Sequence, residues 1–164
     1  MSSILLKKII SNIIKENLEN TKKKLHVFDF DMTLYNTDNK TWNEEVLNNL
    51  YNSIEDENTR VILCTARLLD DETIDITEEL LNTKEISLFS NSQYQYIFND
   101  YYFKPKSKND NAPKYKAFVI SDEVSMFNID EVKFWDDRED TLKQVEKELK
   151  DLEVNYQGIK PKVF

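Results

Sequence analysis

The stretch Leu25-His26-Val27-Phe28-Asp29-Phe30-Asp31-Met32-Thr33-Leu34 decides the fold. Its first half is an apolar run suited to a buried strand. Its second half delivers two carboxylates and a hydroxyl where that strand would surface. In α/β proteins chemistry sits at that end, because parallel strands present their C-terminal ends along one edge of the sheet. Positions i and i+2 of an extended segment point to the same side, so Asp29 and Asp31 are placed to face one substrate while Phe30 turns into the core. In a chain with 31 acidic residues, D-x-D-x-T alone has a plain alternative as a solvated turn or a helix cap.

Two further apolar runs end in the same way. Arg60-Val61-Ile62-Leu63-Cys64 leads to Thr65, and Val132-Lys133-Phe134-Trp135 leads to Asp136-Asp137, with Lys116 lying between them. Periodicity predicts helices near 3–19, 43–54, 71–82, 113–122 and 139–150, and strands near 25–30, 60–64, 86–89, 131–135 and 152–156. The aromatic stretch 93–103 reads as irregular, and Pro105 to Pro113 reads as a loop. Strands alternating with helices imply an α/β fold with a mainly parallel central sheet covered on both faces. Asp29, Thr65 and Asp136 then converge although they are far apart in sequence.

Composition narrows the function. At 164 residues and 40% hydrophobic the chain suits one domain, read as 23–164 behind an N-terminal amphipathic helix over 1–22. A formal charge of −9 argues against holding nucleic acid by bulk electrostatics, which needs a basic face. Lysines at 22–24, at 104, 106 and 108, and at 114 and 116 leave a local basic patch open, with solvated surface charge as the ordinary reading. Cys64 is the only cysteine and His26 the only histidine, which excludes a disulfide, a cysteine zinc site and a histidine-based triad. Both sit inside strand runs and read as core residues. Gly158 is the only glycine, so neither a G-x-x-x-x-G-K-[ST] loop nor a G-x-G-x-x-G turn exists.

No apolar run is long enough to span a membrane, and an intracellular, cytoplasmic location is the expectation. Ile4, Leu5, Leu6, Ile9, Ile10, Ile13, Ile14 and Leu18 recur at near-helical spacing. The helix they form is read as packing on the domain. A partner protein, a membrane surface or an organelle-targeting role is the alternative.

Taken from the residues upward, Asp29, Asp136 and Asp137 form an all-oxygen set suited to a hard divalent cation, with magnesium favoured over zinc. Lys116 and Thr65 on the same edge would neutralise and orient an anion, and a phosphoryl group fits best because its charge is spread over several oxygens. One carboxylate is suited to attack phosphorus while another two residues on moves a proton.

This pattern resembles the haloacid dehalogenase (HAD) superfamily of aspartate-dependent phosphohydrolases. The resemblance rests on Asp29-Phe30-Asp31-Met32-Thr33 as motif I, Thr65 as motif II, Lys116 as motif III and Asp136-Asp137 as motif IV, and covers Leu25 to about Tyr156. It implies a HAD-like Rossmannoid three-layer sandwich. It also implies Asp29 as the nucleophile that becomes an aspartyl-phosphate, Asp31 as general acid and base, and Thr65 and Lys116 as the phosphoryl grip. Mg2+ would be bound by Asp29, the Asp31 carbonyl, Asp136 and Asp137. The short intervals between motifs leave no room for a large cap domain. Met32 departs from the pattern, standing where glycine is common, and Lys104 competes with Lys116 for motif III.

Cys64-Thr65-Ala66-Arg67, Phe103-Lys104-Pro105, Trp135-Asp136-Asp137-Arg138 and Trp42 resemble more narrowly the HAD domains of "Swiss Army knife" RNA repair proteins, and more distantly the phosphatase half of polynucleotide kinase-phosphatase. That implies a phosphorylated nucleic-acid end as substrate, with Thr33, Arg67 and Arg138 as candidate substrate contacts. An ion pair is the other reading of both Arg67 and Arg138, for Arg138 with a neighbouring acid. A small phosphate monoester and a non-catalytic phospho-ligand module are the alternatives in function. The aromatics Tyr94 to Phe103 are read as core or hairpin in preference to a base-stacking platform.

Overall fold

The apolar run at Leu25 forms the centre of a five-stranded sheet. The computed structural model of the chain describes residues 3–20, 22–106 and 111–164. Its strands are β1 (Lys24–Phe28), β2 (Tyr35–Asn36), β3 (Thr41–Trp42), β4 (Thr59–Leu68), β5 (Ile86–Ser87), β6 (Tyr96–Ile97), β7 (Asp100–Lys104), β8 (Glu131–Trp135) and β9 (Asn155–Ile159). Its helices are α1 (Ser3–Asn20), α2 (Glu44–Glu55), α3 (Asp71–Asn82), α4 (Ala112–Phe127) and α5 (Glu139–Leu149). The main sheet runs β7-β4-β1-β8-β9, and every pairing in it is parallel.

Alternation along β1 divides the core. Leu25 and Val27 join Ala117, Ile120 and Val124 of α4 and Leu142, Val145 and Leu149 of α5 on one face. Phe28, followed by Phe30, joins Val46, Leu47 and Leu50 of α2 and Leu81 of α3 on the other. The result is the expected three-layer α/β sandwich, with nearly every apolar side chain of the central strands out of water. Asn43, Asp70 and Asn111 start α2, α3 and α4 by accepting the backbone N–H of Val46, Thr73 and Lys114. Gly158 pairs with Phe134 on β9, where a Cβ would come 3.2 Å from Leu142 Cβ, so its lack of a side chain lets α5 lie close to the sheet.

Three sequence expectations are corrected. The aromatic stretch is not irregular: Tyr101, Tyr102 and Phe103 pair with Leu63, Cys64 and Thr65 as an edge strand, and Phe98 and Phe103 are buried. The connection after motif I holds the hairpin β2/β3, whose Trp42 packs edge-on against Phe30. The apolar side chains of α1 from Ile4 to Ile14 are all at least 40% exposed, so the packing face expected of this helix is not buried over those residues. The side chain of Leu18 and the loop residues 107–110, Lys108 included, lie outside the described residues. No helix among the described residues is long and apolar enough to cross a membrane.

Cys64 is fully buried, and burial pushes its thiol up to about 12, which makes it a core residue. His26 is half-buried, with one nitrogen satisfied. Ser53 Oγ donates its proton to the Asn49 carbonyl, so His26 Nδ1 must be the donor across the 2.6 Å contact with Ser53. Nε2 is then a buried acceptor without a partner. Protonating it would place a cation there, and burial, with Lys133 and Lys24 nearby, lowers the imidazole to about 4.

The folded-state value lies below that of the free side chain, so the unfolded chain binds more protons between about pH 6.5 and 4. The stability His26 contributes at neutral pH is lost as pH falls through that window, by about 3 kcal/mol at most. Urea unfolding at pH 7.5 and pH 4.5 should show a larger loss for the natural chain than for His26→Gln; equal losses would remove His26 as the cause.

Candidate active site

All the charged groups in question stand at the C-terminal edge of β1, β4 and β8. The chain leaves β1 at Asp29, whose N–H donates to the Trp135 carbonyl and ties the first motif to the end of β8. Asp29 and Asp136 are buried, and the ammonium of Lys116, on the first turns of α4, reaches Asp29 Oδ1 at 2.8 Å and Asp136 Oδ2 at 2.6 Å. Of the two lysines weighed for motif III, Lys116 is the one in contact with both carboxylates. Lys104 lies at the end of β7.

The other sequence candidates take specific places. Thr65 is fully buried at the end of the central part of β4, and its hydroxyl accepts the Arg67 N–H at 3.2 Å. Thr33, a sequence candidate for substrate contact, is fully buried: its hydroxyl donates to Asp29 Oδ2 at 3.3 Å and accepts the Asp137 N–H at 3.1 Å. It brackets the first motif to the fourth. Asp137 is half-buried beside them. Arg138 forms a two-pronged ion pair with Asp140 at 3.1 and 2.7 Å, on the surface, while its backbone N–H donates to Asp136 Oδ1 at 2.8 Å.

Arg67 is fully engaged inside the protein. Its Nε and Nη2 donate to the two oxygens of Asp31 at 2.9 and 2.8 Å, Nη1 donates to Thr77 Oγ1 at 3.0 Å, and the guanidinium lies over the Phe30 ring at 4.4 Å. The ion pair that was the alternative to a phosphate contact is therefore formed by Arg67 in this structure. Thr77 is a contributor that the sequence did not indicate, because only the packing of α3 against the end of β4 brings it there. Met32 has φ 59°, the left-handed region where an L side chain is strained, and its N–H donates to the Tyr35 carbonyl. This accounts physically for glycine being favoured there.

The donor set fits a magnesium ion. Asp29, Asp136 and Asp137 each offer a carboxylate oxygen, and these atoms lie within 4.8 Å of one another. Oxygen-only ligands suit a hard divalent cation. Around them Asp29, Asp31, Asp136 and Asp137 share Lys116 and Arg67, which leaves the equivalent of two negative charges uncompensated. Burial raises all three carboxyls: Asp29 is pushed up to about 6, with Lys116 opposing and Asp136 adding, and Asp136 and Asp137 are raised as well.

Four motifs on one edge of a parallel five-stranded sheet, with no insertion larger than a short hairpin among the described residues, make this a HAD-like domain. A family model described as HAD domain family 1 in Swiss Army Knife RNA repair proteins matches residues 7–164, and the chain belongs to that family. No curated protein matches it.

Magnesium binding to the folded state alone stabilises by mass action. Millimolar Mg2+ should raise the thermal unfolding midpoint of the natural chain and of Asp140→Asn, and leave that of Asp136→Asn unchanged. An equal rise in Asp136→Asn would place the ion elsewhere.

Proposed function

We propose that this domain is a magnesium-dependent phosphohydrolase that works through an aspartyl-phosphate and removes a terminal phosphate from a nucleic-acid end. The observation that carries the reading is the buried Lys116 ammonium shared by Asp29 and Asp136, with Asp137 completing the acidic set. Such a cluster suits a group bearing several negative oxygens. Family membership supports the same chemistry.

Asp29, Asp136 and Asp137 would hold the metal, which when bound neutralises phosphoryl oxygens. The residues themselves carry the steps. An oxygen of Asp29 attacks phosphorus as the bond to the leaving oxygen breaks, and that oxygen takes a proton from Asp31. Water then attacks the same phosphorus, giving its proton to Asp31, and the phosphorus–Asp29 bond breaks. Lys116 and Thr65 bind and orient the phosphoryl group, Thr33 fixes Asp29, and Arg67 fixes Asp31.

Phosphate release from a short 3′-phosphorylated oligonucleotide, beside nucleoside monophosphates, tests the reading. Magnesium-dependent turnover of the oligonucleotide, abolished in Asp29→Asn, is expected. Turnover of the monophosphates alone would move the substrate to small phosphate esters, an outcome the net charge of −9 favours. Release from neither would leave a phospho-ligand-binding module.

Arg67→Gln should lower kcat/KM by about 10- to 100-fold for an alkyl phosphate, because general acid–base groups contribute in that range or above. The loss should be smaller for p-nitrophenyl phosphate, whose leaving oxygen needs little protonation. Equal losses on both substrates would assign Arg67 to phosphate binding.

A further inference from the structure

The main chain just after Asp31 is held by the root of the β2/β3 hairpin. Met32 stands at φ 59°, a conformation that an L side chain keeps only where its surroundings enforce it, and its N–H donates to the Tyr35 carbonyl at 2.8 Å. Asp31 itself forms a bridge with Tyr35. The backbone that carries the Asp31 carboxylate therefore goes where the hairpin puts it. That hairpin pairs through two residues a side, Tyr35 with Trp42 and Asn36 with Thr41, and a two-stranded ribbon this short is not stable by itself.

Asn36, the residue after Tyr35, is buried and uses both halves of its amide. Its Oδ1 closes the hairpin turn by accepting the N–H groups of Asp38 and Asn39 at 3.0 and 3.3 Å. Its Nδ2 donates to the main-chain oxygen of Phe164 at 2.7 Å, and Asn39 Nδ2 donates to the same oxygen at 3.2 Å. The segment held in this way comes from the far side of the site. It leaves β9 at Ile159, whose carbonyl accepts the Asp136 N–H at 3.2 Å, and crosses the start of α2. A cavity of about 100 Å³ lies between them, with Asn43, Val46 and Asn49 on one side and Trp135, Ile159 and Pro161 on the other. The segment is not pressed onto α2 there, and its hydrogen-bonded ends hold it. One end is on motif IV and the other on the hairpin of motif I.

We infer that Asn36 is a positioning residue for the proton transfers at Asp31: through residues 160–164 it fastens the hairpin to the motif IV edge, and the hairpin places the Asp31 main chain. The inference rests on the phosphohydrolase reading above. Arg67 fixes the Asp31 carboxylate from β4, and Asn36 fixes the backbone beneath it from the segment after β9. Asn36 acts through Tyr35 and Met32 and needs no contact with substrate.

The variant Asn36→Asp keeps an oxygen to close the turn and replaces the amide donor with a carboxylate oxygen that faces the Phe164 oxygen. With the full chain, Mg2+ and a temperature below the unfolding midpoint of each protein, kcat/KM for an alkyl phosphate should fall about tenfold or more, as a small misplacement of a reacting group allows. The loss should lie in kcat and should be smaller for p-nitrophenyl phosphate, whose leaving oxygen needs little protonation. Hydrogen exchange of the Met32 amide should quicken in the same variant. Pro161→Gly, which slackens the segment without altering any hairpin residue, should move both readouts in the same direction.

Equal losses on the two esters would make Asn36 a structural residue and overturn the inference. So would Met32 exchange that Asn36→Asp leaves unchanged, or a leaving-group effect absent from Pro161→Gly. With p-nitrophenyl phosphate still hydrolysed by the natural chain in an Asp29-dependent way, any of these results removes only the role of Asn36. Absence of hydrolysis of every phosphate ester removes the phosphohydrolase reading, and the role of Asn36 with it.

Discussion

The Lys116 ammonium lies 2.8 Å from Asp29 and 2.6 Å from Asp136, with all three side chains almost entirely out of water. Burying an unpaired carboxylate is very unfavourable, so neither aspartate is tolerable in this interior without that cation. Removing one partner of a buried ion pair generally destabilises by about 3–5 kcal/mol. The contact also fixes geometry, because it joins the end of β1, the first turns of α4 and the end of β8, which only a parallel sheet with this strand order brings together. Thr33 adds a second link from Asp29 to the Asp137 N–H. The acidic excess that remains is what a divalent cation would relieve.

Much of this was legible in the sequence because it is local. Apolar runs that end in Asp, Thr and Asp-Asp report both a buried strand and its exit, and the helix periods between them imply parallel crossovers. Long-range contacts were not legible. Nothing near Arg67 in the chain distinguishes a guanidinium that reaches a ligand from one that closes on Asp31 and Thr77. Thr33 reads as a polar residue in an active loop, and only the approach of β8 makes it a buried bracket. The aromatic stretch concealed an edge strand because β7 buries chiefly Phe103 and Lys104 and leaves Asp100, Tyr101 and Tyr102 partly exposed, which blurs the alternation that identifies a strand. Helix α1 has an apolar face that reads as a packing face, and the pattern is the same whether or not the domain covers it.

No large domain covers the sheet edge among the described residues, and a groove opens on its α4 and α5 side. The residues after motif I form only the β2/β3 hairpin, braced by Trp42 on Phe30 and Tyr35, and nothing in that hairpin approaches the size of a lid domain. An open edge suits a substrate larger than the group transferred. It also means that exclusion of water rests on the burial of Asp29, Thr65, Lys116 and Asp136 themselves. Discrimination must then come from contacts to the remainder of the substrate, since a phosphoryl group is common to all candidates.

Chemical trapping of an acyl phosphate is the most direct test of the proposed role of Asp29. The protein would be mixed with excess phosphorylated oligonucleotide and Mg2+, quenched and reduced with borohydride, which converts an acyl phosphate to the alcohol. The account predicts reduction at position 29 alone, dependent on substrate and magnesium. Reduction at position 31 instead, or phosphate release with no reducible aspartate, would contradict it.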